Sequence, residues 1–258
     1  MPHTASYRRI LHTMGYYNYQ QGLIFRHLNQ DRGWDSHLAR CRDFILKAIE
    51  LVKPSVITVL GSGWLMELPL AEMAERTGKI VLIDIVHPPE VAEQTKKLKN
   101  VEVSEEDVSG GLIEEVWKKA GRKTIFNRLT SLETIVIPEY KPVEDPGLVI
   151  SLNILTQLEI LPEKLLRKKS KATDEDFRNF KKEIQEKHLG FLMKYPSILI
   201  SDIVEVVFDS TDARTEKNTL LAEIPEARMK EEWIWDFDLL HADYNRQKSQ
   251  FKVFAGLF

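Results

Sequence analysis

The chain has 258 residues, 43% of them hydrophobic, which is enough for one sizeable core with appendages. Its 36 basic and 39 acidic side chains leave a formal net charge of -3, which makes nucleic acid an unexpected partner and gives no reason to expect an anionic membrane surface. The single cysteine, Cys41, excludes an internal disulfide and any zinc site of several thiolates. With no apolar run of roughly 18 residues and no apolar leader segment, the expectation is a soluble, cytoplasmic protein.

Residues 1–53 carry Leu23, Leu28, Leu38, Phe44, Ile45, Ala48 and Leu51 at helical spacing, with a break at Asp31-Arg32-Gly33-Trp34. This predicts two or three helices packed on a main domain of residues 54–258. Pro54 stops the last helix, and Val56-Ile57-Thr58-Val59-Leu60 reads as a first strand buried on both faces. Leu65, Leu68, Ala71, Met73 and Ala74 form a helical stripe within 64–77, with Pro69 in its opening turns and Gly78 as its stop. A second strand over 79–86, a helix over 90–99 and a third strand from Val101 continue the alternation. After a helix over 112–119, the long segment 122–146 contains Ile135-Val136-Ile137, which reads as an extra strand. Strand four covers 147–152, a helix 174–193 and strand five 198–204, while the basic run Lys164, Arg167, Lys168, Lys169 and Lys171 reads as a solvated loop. The aromatic segments 233–239 and 251–258 predict a terminal antiparallel hairpin around a polar connection.

Alternating strands and helices imply right-handed crossovers, a mostly parallel sheet and a ligand site at the carboxyl ends of its strands. At the end of strand one, Gly61-Ser62-Gly63 lets the backbone turn sharply and approach a ligand, although a tight turn alone also explains two glycines. Asp84, at the end of strand two, is placed to accept hydrogen bonds from two ribose hydroxyls, the alternative being a helix cap. Asp107, after strand three, is placed to meet an adenine amino group or to be a solvated acidic turn.

These features resemble the class I S-adenosylmethionine-dependent methyltransferases over residues 56–258. The resemblance rests on Val59-Leu60-Gly61-Ser62-Gly63, Asp84, Asp107, the segment Val149-Ile150-Ser151-Leu152-Asn153-Ile154-Leu155 and the closing hairpin. It implies a three-layer α/β/α sandwich around a mostly parallel seven-stranded sheet, with the last strand inserted antiparallel beside strand five. It further implies S-adenosylmethionine as cofactor, held at Gly61, Ser62, Gly63, Asp84, Asp107 and Asn153, with the substrate facing strands four and five.

Methyl transfer needs in-line placement more than a fixed catalytic signature, so the catalytic candidates are read from position. Asn153 and Gln157 follow strand four, Asp202 and Glu205 lie near the end of strand five, and His241 sits with Asp243 and Tyr244 in the terminal connection. The two carboxylates suit a cationic substrate group, a base or a plain salt bridge. Tyr7, Tyr16, Tyr17, Tyr19, Phe25 and Trp34 suit either a lid or a packing surface. No His-Glu-x-x-His spacing calls for a metal. A small-molecule substrate is favoured, and a homo-oligomer is left open. The alternatives are a nicotinamide-dependent oxidoreductase, for which Met66 stands where the third glycine of its fingerprint belongs, and a non-catalytic cofactor-binding or scaffold protein.

Overall fold

The computed structural model describes residues 3–30, 32–124, 126–209, 211, 213–240 and 247–258. Three helices precede the sheet: α1 (Ala5–Met14), α2 (Tyr16–Asn29) and α3 (Asp35–Val52). The next elements are β1 (Val56–Leu60), α4 (Leu70–Arg76), β2 (Lys79–Asp84), α5 (Pro89–Thr95), β3 (Val101–Glu105) and α6 (Leu112–Ala120). They lead to β4 (Leu148–Leu152), α7 (Ile160–Lys169), α8 (Asp174–Leu192) and β5 (Ser197–Phe208). The chain then runs through β6 (Arg214–Asn218), β7 (Met229–Asp238) and β8 (Lys248–Leu257).

The sheet path is β3-β2-β1-β4-β5-β8-β7, with β6 paired to β5 off that path. The first five strands on the path are mutually parallel. β8 lies antiparallel between β5 and β7. Period-two alternation explains the three layers, since successive side chains of a strand point to opposite faces. Ile57, Val59, Ile150, Ile198 and Ile200 join a core with Phe44 and Ile45 of α3, Met73 of α4 and Val91 of α5. Val149 and Leu199 turn the other way, onto Leu112 of α6, Leu166 of α7 and Phe180 of α8. The N-terminal helices are anchored by Trp34, whose ring stacks on Phe237 and meets Trp235 edge-on while its Nε1–H donates to the Phe237 carbonyl.

The expected path of seven strands is therefore present, and the whole sheet gains an eighth. Ile135-Val136-Ile137 is not a strand: Ile135 and Ile137 are buried and Val136 is exposed, but no neighbouring strand receives their backbone. The basic run is not a loop either, because Lys164, Arg167, Lys168 and Lys169 lie on α7. Its basic last turn meets the negative end of the helix dipole. The helix expected within 64–77 forms only from Leu70, after Pro69. Leu28 and Leu51 are exposed rather than core residues.

Candidate active site

β1 ends in a turn fastened to β2: the N–H groups of Gly61 and Ser62 both donate to the Ile83 carbonyl, at 2.9 and 3.2 Å. Gly61, with φ of 80°, lies so close to β4 that an added Cβ would meet the Leu152 carbonyl oxygen at 2.7 Å. Gly63 differs, because a Cβ there would find its nearest neighbours 3.9 Å away. Its N–H donates to Asp84 Oδ2 at 2.8 Å, which locks the turn onto the carboxyl end of β2. Ser62 turns away, its hydroxyl 2.8 Å from His87 Nε2.

Asp84 is buried, and its Oδ1 accepts from the Ile85 N–H at 2.7 Å and from the Gln20 side-chain amide of α2 at 3.3 Å. Burial pushes its pKa up to about 6, against the pull of these hydrogen bonds. Gln20 Oε1 is itself buried with no hydrogen-bond partner among the described residues. Asp107 is engaged by its own turn through the N–H and hydroxyl of Ser109, and by the Tyr7 hydroxyl of α1 at 3.1 Å.

Asn153 holds a left-handed backbone (φ 49°) just after β4. Its carboxamide nitrogen lies 3.3 Å from His37 Nε2 and 3.4 Å from Glu67 Oε1. His37 is fully buried, stacked on Trp235 at 3.9 Å, with Nδ1 accepting from Trp233 Nε1–H at 3.0 Å. Desolvation lowers its pKa to about 3, so the ring is neutral at physiological pH.

Two adjoining cavities open here. The smaller, of about 100 Å³, is bounded by Gly61, Gly63, Asp84 and Asn153, with Gln20 and Leu23 of α2 covering it. The larger, of about 660 Å³, lies over β5 and is bounded by Thr156, Glu159, Asp202, Glu205, Trp235 and Phe251. Tyr19, Leu23, Gln157 and Trp235 border both. The structure thus brings Gly61, Gly63, Asp84, Asn153 and Gln157 together, and Asp202 with Glu205 in the adjoining space. Ser62 and Asp107 do not border the smaller cavity, whereas Tyr16, Tyr19 and Trp34 do. Phe25 is exposed. His241, Asp243 and Tyr244 lie outside the described residues.

Sequence reasoning missed Gln20, Glu67 and Glu159. Glu159 is the only one with any local signal, as an acidic side chain seven residues after β4, and nothing in that spacing foretells its burial.

No family model matches the chain, and no curated protein matches it by sequence. Among solved structures it is similar to the N-methyltransferase NodS from Bradyrhizobium japonicum WM9 in complex with S-adenosyl-L-homocysteine: 10% identity, TM-score 0.43, covering 93% of this chain and 97% of that one. It is also similar to the Burkholderia thailandensis 1,6-didemethyltoxoflavin-N1-methyltransferase, at 10% identity and TM-score 0.45, covering 100% and 92% of the two chains. DhpI in complex with SAH matches at 8% identity and TM-score 0.37, over 96% of each chain. These likenesses are distant, and the fold is defined by the strand order itself. A parallel β3-β2-β1-β4-β5 sheet closed by an antiparallel β8-β7 pair is the strand arrangement that the resemblance to class I methyltransferases implies.

Proposed function

We propose that the chain is an S-adenosylmethionine-dependent methyltransferase acting on a small molecule. The observation that carries this reading is the bond from the Gly63 N–H to Asp84 at the carboxyl ends of β1 and β2. It lies beside the β1/β4 switch point, where open α/β sheets take their ligands.

The residues present fit the cofactor. Asp84 offers a buried carboxylate for ribose hydroxyls, and the Gln20 amide now donates where a hydroxyl would. Gly63 leaves open the space that a side chain would fill. Asp107 would take the adenine amino group beside or in place of the Tyr7 hydroxyl. S-Adenosylmethionine bound there would supply an electrophilic methyl group on a sulfonium. A cavity of about 100 Å³ is below the roughly 300–1,000 Å³ of ordinary ligand sites, so binding requires α2, which carries Gln20 and Leu23, to move outward.

The nicotinamide alternative is disfavoured by the late start of α4. A dinucleotide pyrophosphate wants a helix N-terminus against the glycine turn, and here six residues separate Gly63 from Leu70.

A thermal-shift series with S-adenosylmethionine, S-adenosylhomocysteine and NAD tests the reading. A ligand at 100 times its Kd stabilises the native state by about 2.7 kcal/mol, which for a chain of this size is a rise of roughly 5–10 °C. The two sulfur nucleosides are expected to give it and NAD is not. A shift with NAD alone would restore the oxidoreductase, and none with any of the three would leave a scaffold.

A further inference from the structure

The larger cavity sorts its charges by depth. Glu159, Asp202 and Glu205 are 3, 7 and 8% exposed, while Lys217 and Arg178 at the rim are exposed. Lys181 is drawn aside to Glu163 at 2.8 Å, and Arg167 to Glu163 and Asp174. Arg26 sits over the Phe237 ring, 4.4 Å from its centroid.

Local structure brings the carboxyls together. Residues three apart on a regular strand face opposite sides of the sheet. The β5–β8 register shifts between Asp202 and Val204, and this bulge turns Asp202 and Glu205 into the same cavity. Glu159 arrives from the segment between β4 and α7.

Their hydrogen bonding is incomplete. Asp202 accepts from the Thr156 hydroxyl at 2.5 Å, and Glu159 Oε1 from the Gln185 amide at 3.2 Å. Glu159 Oε2 and Glu205 Oε1 are buried with no partner among the described residues. An unsatisfied buried carboxyl costs stability unless something else satisfies it. Burial raises all three pKa values, that of Glu159 to about 8; Asp202 adds to the rise at Glu159 and Glu205, while Lys181 pulls both down and Lys217 pulls Glu205 down, so a cation entering among the acids would be met by groups that ionise in response. A metal ion is the wrong cation, since no group of three His, Cys, Asp or Glu among the described residues is placed to hold one. Phe251 pairs with Glu205 across the β5–β8 ladder and Trp235 with Phe251 across β8–β7, so two buried aromatic residues line the cavity beside the acids, and such rings attract organic cations.

We propose that Glu159, Asp202 and Glu205 bind the ammonium group of a small organic amine against the Trp235 and Phe251 rings. The amine is the substrate class of the methyltransferase proposed above, a role that rests on that reading and in which the ammonium would pass one proton to these carboxylates before its nitrogen, with the lone pair freed, could accept a methyl group. The cavity adjoins the space beside Gly63 through Gln157 and Trp235, so an amine held there lies next to the cofactor pocket.

The test is calorimetric titration of the full chain with phenethylamine, with its neutral isostere phenethyl alcohol and with the anion 3-phenylpropionate, alongside a separate titration with S-adenosylhomocysteine. The amine should bind at least about tenfold more tightly than the alcohol, as hydrogen bonds to charged groups allow, and the propionate most weakly. Titrations near pH 7 in buffers of different ionisation enthalpy should show proton release on amine binding. Glu159→Gln and Glu205→Gln should each weaken the amine by about tenfold, leave S-adenosylhomocysteine unaffected and melt no lower than the parent chain. Equal affinity for amine and alcohol, or amine binding that survives both substitutions, would overturn the assignment, and the first comparison needs no variant to fold. S-Adenosylhomocysteine binding with no amine binding would also overturn it. Amine binding without S-adenosylhomocysteine binding would uphold the amine site and refute the methyltransferase reading instead.

Discussion

A Cβ added to Gly61 would lie 2.7 Å from the Leu152 carbonyl oxygen and 2.8 Å from Ile154 Cβ, on a backbone with φ of 80°. The left-handed conformation costs an L-residue about 1–2 kcal/mol, and overpacking against main chain adds roughly 1–3 kcal/mol. Gly61→Ala is therefore expected to lose about 2–5 kcal/mol, a fall in melting temperature of roughly 5–15 °C for a chain of this size. At Gly63 the backbone is also left-handed, but the nearest atoms stand 3.9 Å from the new Cβ. Gly63→Ala should cost only about 1 kcal/mol, or roughly 2–4 °C. The order reverses for binding: the Gly63 methyl enters the space beside Asp84, and affinity for S-adenosylhomocysteine should fall by about tenfold or more, whereas folded Gly61→Ala should bind nearly as the parent does. Differential scanning calorimetry and isothermal titration below both melting temperatures measure the two quantities. Equal losses of stability, or parental affinity in Gly63→Ala, would refute the division of the turn into a packing glycine and a ligand-facing one.

Asp84 predicts a pH dependence. Its pKa is raised from 3.8 to about 6 in the fold, so between those values the native state keeps a proton that the unfolded chain has lost, and Asp84 withdraws stability as pH rises through that window. A ligand whose hydroxyls donate to the carboxylate needs the ionised form, so affinity for S-adenosylhomocysteine should decline as pH falls below about 6. In Asp84→Asn it should be weaker and lack this dependence; a parental pH profile in the variant would assign the titration elsewhere. Removal of residues 248–258 should abolish soluble, cooperative folding. It deletes buried Phe251, Val253, Phe254, Ala255 and Leu257 from between β5 and β7. At about 1.5–3 kcal/mol for each of the larger side chains, the loss rivals the roughly 5–15 kcal/mol that holds a domain together. A monomeric truncated chain with a sharp melting transition, by size exclusion and circular dichroism, would contradict this.

The alternation of strands and helices was legible because it is written locally: β1 and β4 are short apolar runs that only a strand covered on both faces tolerates. The turn at Gly61-Ser62-Gly63 and the acid ending β2 were legible for the same reason, as a glycine's freedom and a strand-end carboxylate depend on few neighbours. Tertiary pairing decided the rest. β6 is exposed at all five residues and exists because the long β5 offers it an edge. Ile135-Val136-Ile137 alternates like a strand and is not one, because no edge is offered to it. On a regular strand Asp202 and Glu205 would face opposite sides of the sheet, and a bulge fixed by pairing with β8 puts them on one. Gln20 reaches Asp84 across 64 positions and Tyr7 reaches Asp107 across 100. No local pattern encodes such meetings. They follow from where the N-terminal helices pack, which the summed burial of Trp34, Phe44 and Ile45 against the sheet settles only when the whole chain has folded.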